Sequence, residues 1–228
     1  MTLEAVNLSL GYGDGDLTTF AVREATMRIE GPGFFGVMGP SGSGKSSLLY
    51  MLSGLKNPTA GSVLFNGKHL ENMADKERAA LRREHFGFVF QQPFLLSFLT
   101  ARENIAIAAR PGDKAANRKA DALLEELGLS RLADRTPVHL SGGERQRVVV
   151  ARAMINEPSI IFADEPTAAL DHRNGFAVID LLKRYRDRGT VIVVTHDPAM
   201  IAGANKIFHL EDGAITHVEI SEISEPPG

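Results

Sequence analysis

Short apolar blocks alternate along the chain with stretches in which apolar residues recur every three or four positions. Leu3 to Leu10 reads as a strand, and Val22 to Ile29 alternates weakly, with Val22, Ala25, Met27 and Ile29 apolar. The turn-rich run Gly11 to Asp16 separates them, and Gly31-Pro32-Gly33 leads into a short buried strand, Phe34 to Met38. From about Gly44, residues Leu48, Leu49, Leu52 and Leu55 fall at helical spacing, with Gly54 near the helix end. Asn66-Gly67 lies between Val63-Leu64-Phe65 and Lys68-His69-Leu70, which predicts a hairpin with a type I′ turn. Asp212-Gly213, between Lys206–Leu210 and Ala214–Val218, predicts a second.

A charged helix is expected over 74–84 and a strand over Phe86 to Phe90. From Pro93 to Asn156 strand signals stop, and helices are expected at about 100–109, 114–127 and 141–155. This stretch reads as an inserted helical subdomain. Strict alternation then resumes: strand Ser159 to Ala163, helix 172–187, strand Thr190 to Val194 and a short helix at 197–202. The Glu- and Pro-rich tail, Ser221 to Gly228, reads as a mobile end. Strands alternating with helices predict an α/β fold with a mostly parallel sheet, whose ligands bind beyond the carboxyl ends of the strands.

Composition narrows the function. With 43% apolar and 23% charged residues in 228, the chain resembles an ordinary globular domain able to bury its own core. No run approaches ~18 uninterrupted apolar residues, and the start lacks a signal peptide's basic and apolar regions. The absence of cysteine excludes disulfides and thiol chemistry. A net charge of −3 is the wrong balance for coating a nucleic acid. Glycine is the anomaly: 22 residues without a collagen-like period, gathered in clusters.

Gly39-Pro40-Ser41-Gly42-Ser43-Gly44-Lys45-Ser46 fits G-x-x-x-x-G-K-[ST] between a strand and a helix. Its glycines let backbone N–H groups curl around a phosphate, and the helix N-terminus adds partial positive charge. Lys45 can reach the β- and γ-phosphates, and the Ser46 hydroxyl can ligate Mg²⁺. Leu140-Ser141-Gly142-Gly143-Glu144-Arg145-Gln146-Arg147 is a second polar glycine loop opening a helix. It can hold an anion, and Ser141 with Glu144 can form a capping box; both readings are compatible. Ile160 to Glu165 is a buried strand ending in tandem acids. Asp164 can hold Mg²⁺ and Glu165 can polarise an attacking water, whereas a helix cap would explain one acid and not two.

These motifs resemble those of the ATP-binding-cassette (ABC) ATPases over nearly the whole chain. Gly39–Ser46 matches the family's Walker A loop, with Ser47 following it. Leu140–Gln146 matches the signature motif, and Ile160–Glu165 matches Walker B with the catalytic glutamate. Gln91 matches the Q-loop glutamine, with Gln92 beside it; Ala168-Ala169-Leu170-Asp171 resembles the D-loop, and His196 matches the switch histidine. Tyr12 resembles the aromatic that stacks on adenine. The family commonly has serine where this chain has Ala168 or Ala169, so the resemblance implies no side-chain hydrogen bond from that position across a dimer but leaves Asp171.

The resemblance implies an ABC ATPase (P-loop NTPase) fold with a mostly parallel core sheet, an antiparallel N-terminal β subdomain and the helical insert. The expected layout is one domain over 1–220, with 1–92 and 157–220 as core and β subdomain, 93–156 as the helical subdomain and 221–228 as the tail. It implies ATP and Mg²⁺ as ligands, with Ser46, Gln91 and Asp164 on the metal. It also implies a head-to-tail homodimer in which Leu140, Ser141, Gly142, Gly143, Glu144 and Gln146 face the partner's ATP. Glu165, His196, Gln91 and Lys45 are the expected catalytic set. Transmembrane permease subunits are expected to contact the 91–105 region, placing the chain peripherally on the cytoplasmic face of the inner membrane. The apolar run Pro93 to Leu99 reads either as local core packing or as part of a groove for a membrane partner. The motif details look most like the bacterial lipoprotein-releasing, macrolide-exporting and haem-exporting branch. A transmembrane signalling module and a soluble nucleotide switch are the alternatives.

Overall fold

The computed structural model describes residues 1–13 and 19–221. In chain order the elements are β1 (Thr2–Tyr12), β2 (Thr19–Glu30), β3 (Gly33–Met38), α1 (Lys45–Leu52), β4 (Ala60–Phe65), β5 (Lys68–His69), α2 (Asp75–His85) and β6 (Phe86–Val89). There follow α3 (Ala101–Ala106), α4 (Ala116–Glu126), α5 (Gly142–Met154), β7 (Ile160–Asp164), α6 (His172–Tyr185), β8 (Thr190–Thr195), β9 (Lys206–Glu211) and β10 (Ala214–Ile220). The chain forms two compact units, Met1–Arg78 with Ile192–Gly228, and Ala79–Val191, so α2 and β8 each give residues to both. The expected turn at 14–16 and the tail at 222–228 lie outside the described residues.

In the first unit, β2-β1-β4-β5 forms an antiparallel sheet. Leu3 pairs with Ile29 and Phe65, and Ala5 with Met27 and Val63, so one face of three strands is apolar and buried. The register shifts between Ala5 and Leu8, where Asn7 takes φ 49°. This bulge moves the buried face from odd to even positions, which lets Leu8 and Leu10 continue the core. On β2 the matching irregularity at Glu24 (φ 45°) switches burial from Ala25 to Val22. The weak alternation in the sequence is therefore two clean alternations joined by a bulge.

Both hairpins form as expected. Asn66 (φ 50°) and Gly67 (φ 75°) join β4 to β5, and Asp212 (φ 47°) and Gly213 (φ 83°) join β9 to β10. Positive φ at both central residues is the type I′ geometry that suits strand twist. The buried strand β3 runs parallel to β9, pairing Phe35 with Lys206 and Met38 with His209. Helix α1 stops at Leu52 and the chain reverses at Gly54 (φ 63°). Leu55, expected on the helix, instead lies exposed in the turn after it.

The second unit contains α3, α4, α5, α6 and the parallel pair β6–β7, in which Phe86 faces Ile160 and Val89 faces Ala163. Helix α5 is its centre, packing on α3, α4, α6 and β6. Val148, Val149, Val150 and Ala151 are all fully buried, each valine worth about 1.5–3 kcal/mol of transfer free energy. The short helix expected at 197–202 is a 3-10 turn, Pro198–Ile201, capped by Asp197. Among the described residues no helix is long and apolar enough to cross a membrane.

Candidate functional site

The phosphate loop links β3 to α1 in the first unit, and its glycines have separable reasons. A Cβ on Gly39 would meet Leu210 O at 2.0 Å, and one on Gly44 would meet Ala21 O at 1.9 Å. Neither neighbour is a movable side chain. Gly42 (φ 83°) has open space around it and is required only by the left-handed turn. Lys45 is buried and folds across the loop, its Nζ donating to Gly39 O at 2.9 Å and Pro40 O at 2.8 Å. Ser43 Oγ is buried and has no hydrogen-bond partner among the described residues. A buried hydroxyl that the described residues leave unmet is the exception in a folded chain and marks a place where a further partner fits. Pro40, Ser41 and Gly42 are exposed along the rim, and Ser46 and Ser47 stand half-buried in the first turn of α1.

Two other expected residues belong to this unit. Tyr12 ends β1 and is exposed, with the Lys56 ammonium 4.2 Å from its ring centroid and bonded to its hydroxyl. Lys56 was not legible as part of this group, because nothing local links positions so distant in sequence. His196 is exposed at the first position beyond β8. The turn after it is fixed by Thr195 Oγ1, which accepts from Asp197 N at 3.1 Å, and by Asp197 Oδ1, which accepts from Ala199 N at 2.9 Å.

In the second unit, Ser141 caps α5 in a complete capping box. Ser141 Oγ accepts from Glu144 N at 3.3 Å, and Glu144 Oε2 accepts from Ser141 N at 2.7 Å. The Ser141 N–H, then its hydroxyl, hold the Glu144 carboxyl below the usual glutamate range. Leu140 is buried as an anchor. Gly143 is glycine because a Cβ would come 2.5 Å from Asn174 Oδ1. Gly142 is different: its nearest neighbour, Leu170 Cδ2, would lie 3.5 Å away, an ordinary contact. Packing among the described residues gives Gly142 no reason to lack a side chain.

Gln146 departs from the expectation that it faces a partner's nucleotide. It is buried, and its Nε2 donates inward to Phe90 O at 2.9 Å, so its side chain is spent on the chain's own backbone. Gln91 follows that carbonyl directly, and both Gln91 and Gln92 are exposed. Asp164 ends β7 and is buried; Glu165 next to it takes φ 43°. A left-handed non-glycine residue costs about 1–2 kcal/mol and persists where its surroundings over-determine it. Asp171 caps α6, accepting from Asn174 N at 2.9 Å and Asn174 Nδ2 at 2.7 Å, which lowers its pKa. Asn174 thus joins the capping aspartate to Gly143. Its place three residues after the cap was the available signal.

The run after Gln91 is not core. Phe94, Leu96 and Phe98 are 65%, 39% and 77% exposed, so the core-packing alternative fails for all three. A cavity of about 290 Å³ in the same unit is lined by Arg82, Phe88, Phe90, Ala108 and Arg152, among others.

Residues 22–168 match the family described as ABC transporter. A Methanocaldococcus jannaschii protein, named as an uncharacterized ABC transporter ATP-binding protein, is 44% identical over 220 residues, covering 95% of this chain and 98% of its own. The macrolide export ATP-binding/permease protein MacB of Neisseria gonorrhoeae is 42% identical over 229 residues, covering 99% of this chain. That match takes in 35% of MacB, so the chain spans about a third of that relative's length. Among solved structures, the dimeric post-hydrolysis state of the ATP-binding cassette MJ0796 bound to ADP and Pi has a TM-score of 0.87 at 36% identity. It covers 96% of this chain and 98% of that one.

Proposed function

The chain belongs to the ABC transporter family as an ATP-binding, ATP-hydrolysing cassette, and on that premise we propose how its residues divide the work. The carrying observation is the phosphate loop, with Lys45 folded inside it and the Ser43 hydroxyl awaiting a partner. Gly39 to Ser47 wrap the β- and γ-phosphates, and Lys45 exchanges its carbonyl partners for phosphate oxygens. Tyr12 stacks on the base with the ring face that Lys56 leaves open.

Ser46, Gln91 and Asp164 offer hard oxygen donors, the class Mg²⁺ takes, and that ion needs only one or two protein carboxylates beside phosphate and water. When bound, Mg²⁺ offsets charge on the phosphates. Glu165 orients the attacking water and accepts its proton, and His196 contacts the γ-phosphate. Two copies of the chain assemble head to tail, so that Ser141, Gly142 and Gly143 of one approach the γ-phosphate held by Lys45 of the other. The unexplained openness at Gly142 and the dimeric MJ0796 structure support that arrangement.

The exposed strip Phe94, Leu96, Phe98, with the neighbouring cavity, receives a segment of a membrane permease in the 91–105 region. The cassette then sits peripherally on the cytoplasmic face of the membrane. Similarity to MacB supports export of a hydrophobic or amphipathic substrate. The deciding experiment is co-purification with the permease followed by ATPase assay in reconstituted vesicles. Turnover that responds to a hydrophobic cargo supports the exporter; a chain that hydrolyses ATP but binds no membrane protein refutes it.

A further inference from the structure

The backbone around Gln91 is fastened on both sides to one helix. Upstream, Gln146 donates to Phe90 O at 2.9 Å; downstream, Arg152 donates from Nη2 to Pro93 O at 2.9 Å and from Nη1 to Phe94 O at 2.8 Å. Both side chains come from α5, the helix opened by Ser141. The helix and β6 are already in close contact, since a Cβ on Gly87 would come 2.5 Å from Ala153 O. At the far end, Asn156 donates to Arg83 O at 3.3 Å and Ala108 O at 2.8 Å. Phe94 holds a left-handed φ of 44°, and its ring meets Phe90 edge-on at 5.9 Å. The segment is thus held in a shape it would not relax into alone.

The chemistry at Arg152 suits this task. Its guanidinium presents paired donors in a rigid plane, which can take two successive carbonyls at once; a lysine ammonium is a single mobile point. Burial pushes its pKa down, so the cation is retained at a desolvation cost that carbonyl dipoles offset.

We propose that Arg152, together with Gln146, is a positioning residue for the Gln91 turn, making the signature helix and that turn move as one body. Displacement of α5 when Ser141 and Gly142 meet a phosphate is then delivered to Gln91 with no slack between them. This rests on the roles given above to Gln91 and the signature loop.

The test compares Arg152→Met, Arg152→Lys and Gln91→Ala in the full chain, by steady-state ATPase and by amide hydrogen exchange. Arg152→Met should lower kcat about tenfold, the worth of one charge-assisted hydrogen bond, with the KM for ATP within about twofold. Exchange should quicken at 92–96 while 148–154 stays protected, and Arg152→Lys should recover part of kcat. Unchanged exchange at 92–96 in Arg152→Met overturns the proposal. So does a loss of kcat accompanied by faster exchange along all of α5 and no rescue by lysine, which would mark a packing role. Wild-type turnover in Gln91→Ala would remove Gln91 from the mechanism, whereas the exchange at 92–96 reports on the clamp independently.

Discussion

Gly42 and Gly44 form a matched pair for testing why the phosphate loop is built of glycine. Both are left-handed, at φ 83° and 96°, so alanine at either pays the same conformational penalty, about 1–2 kcal/mol. They differ in surroundings. Gly42 has nothing within 4 Å of an added Cβ, whereas at Gly44 the Cβ would sit 1.9 Å from Ala21 O and 3.1 Å from its carbonyl carbon. That oxygen belongs to β2 and cannot rotate aside, so loop and strand must separate, an overpacking cost of about 1–3 kcal/mol more. A loss of 1 kcal/mol lowers Tm by about 2–4 °C in a domain of this size. Gly42→Ala should therefore melt about 2–8 °C below the wild type and Gly44→Ala about 4–20 °C below, with nucleotide withheld. Calorimetry on the two variants side by side decides it. Equal shifts, or the larger shift in Gly42→Ala, would refute the claim that contact with β2 dictates glycine at 44.

Four further predictions concern chemistry, stability and assembly. Glu165→Gln should nearly abolish turnover while ATP is still bound and the dimer accumulates, visible as an ATP-dependent shift in size-exclusion chromatography; substantial turnover would exclude Glu165 as the base. Ser141→Ala should cost about 1 kcal/mol through its cap, read as a fall in Tm. Because the Glu144 pKa is lowered on folding, its contribution is complete above the usual glutamate pKa and disappears as pH falls through the lowered value. Glu144→Ala should therefore be less stable than wild type at pH 7, with the difference shrinking as pH falls below the ordinary glutamate range. Phe98→Asp should keep basal ATPase and fail to couple to the permease; normal coupling in that variant would move the docking surface elsewhere.

The sequence was most informative where one residue's identity follows from its own backbone. Asn66-Gly67 and Asp212-Gly213 announced their turns, and Ser141 with Glu144 announced a capping box, because each is a local arrangement of donors, acceptors and φ. It was least informative where distant segments meet. The bulge at Asn7 looked like weak patterning, since the reason for changing face lies in how β1 must cover its neighbours. Gln146 departs from its expected role because the carbonyl it serves, Phe90 O, lies just past the end of β6, far back along the chain. Leu55 fitted a helical period that Gly54 had already ended. Arg152 left a trace, a cation within the apolar run Val148 to Ile155, but its two carbonyl partners lie far back along the chain.

The strip at Phe94, Leu96 and Phe98 has a consequence for the cell that synthesises this chain. Surplus copies carry three large apolar side chains in water within five positions, which invites self-association and recognition by chaperones or proteases. Synthesis in excess of whatever covers the strip would be wasted as aggregate or as degraded chain. How much of the chain a cell can usefully make is thus constrained by a surface, independently of any catalytic demand for it.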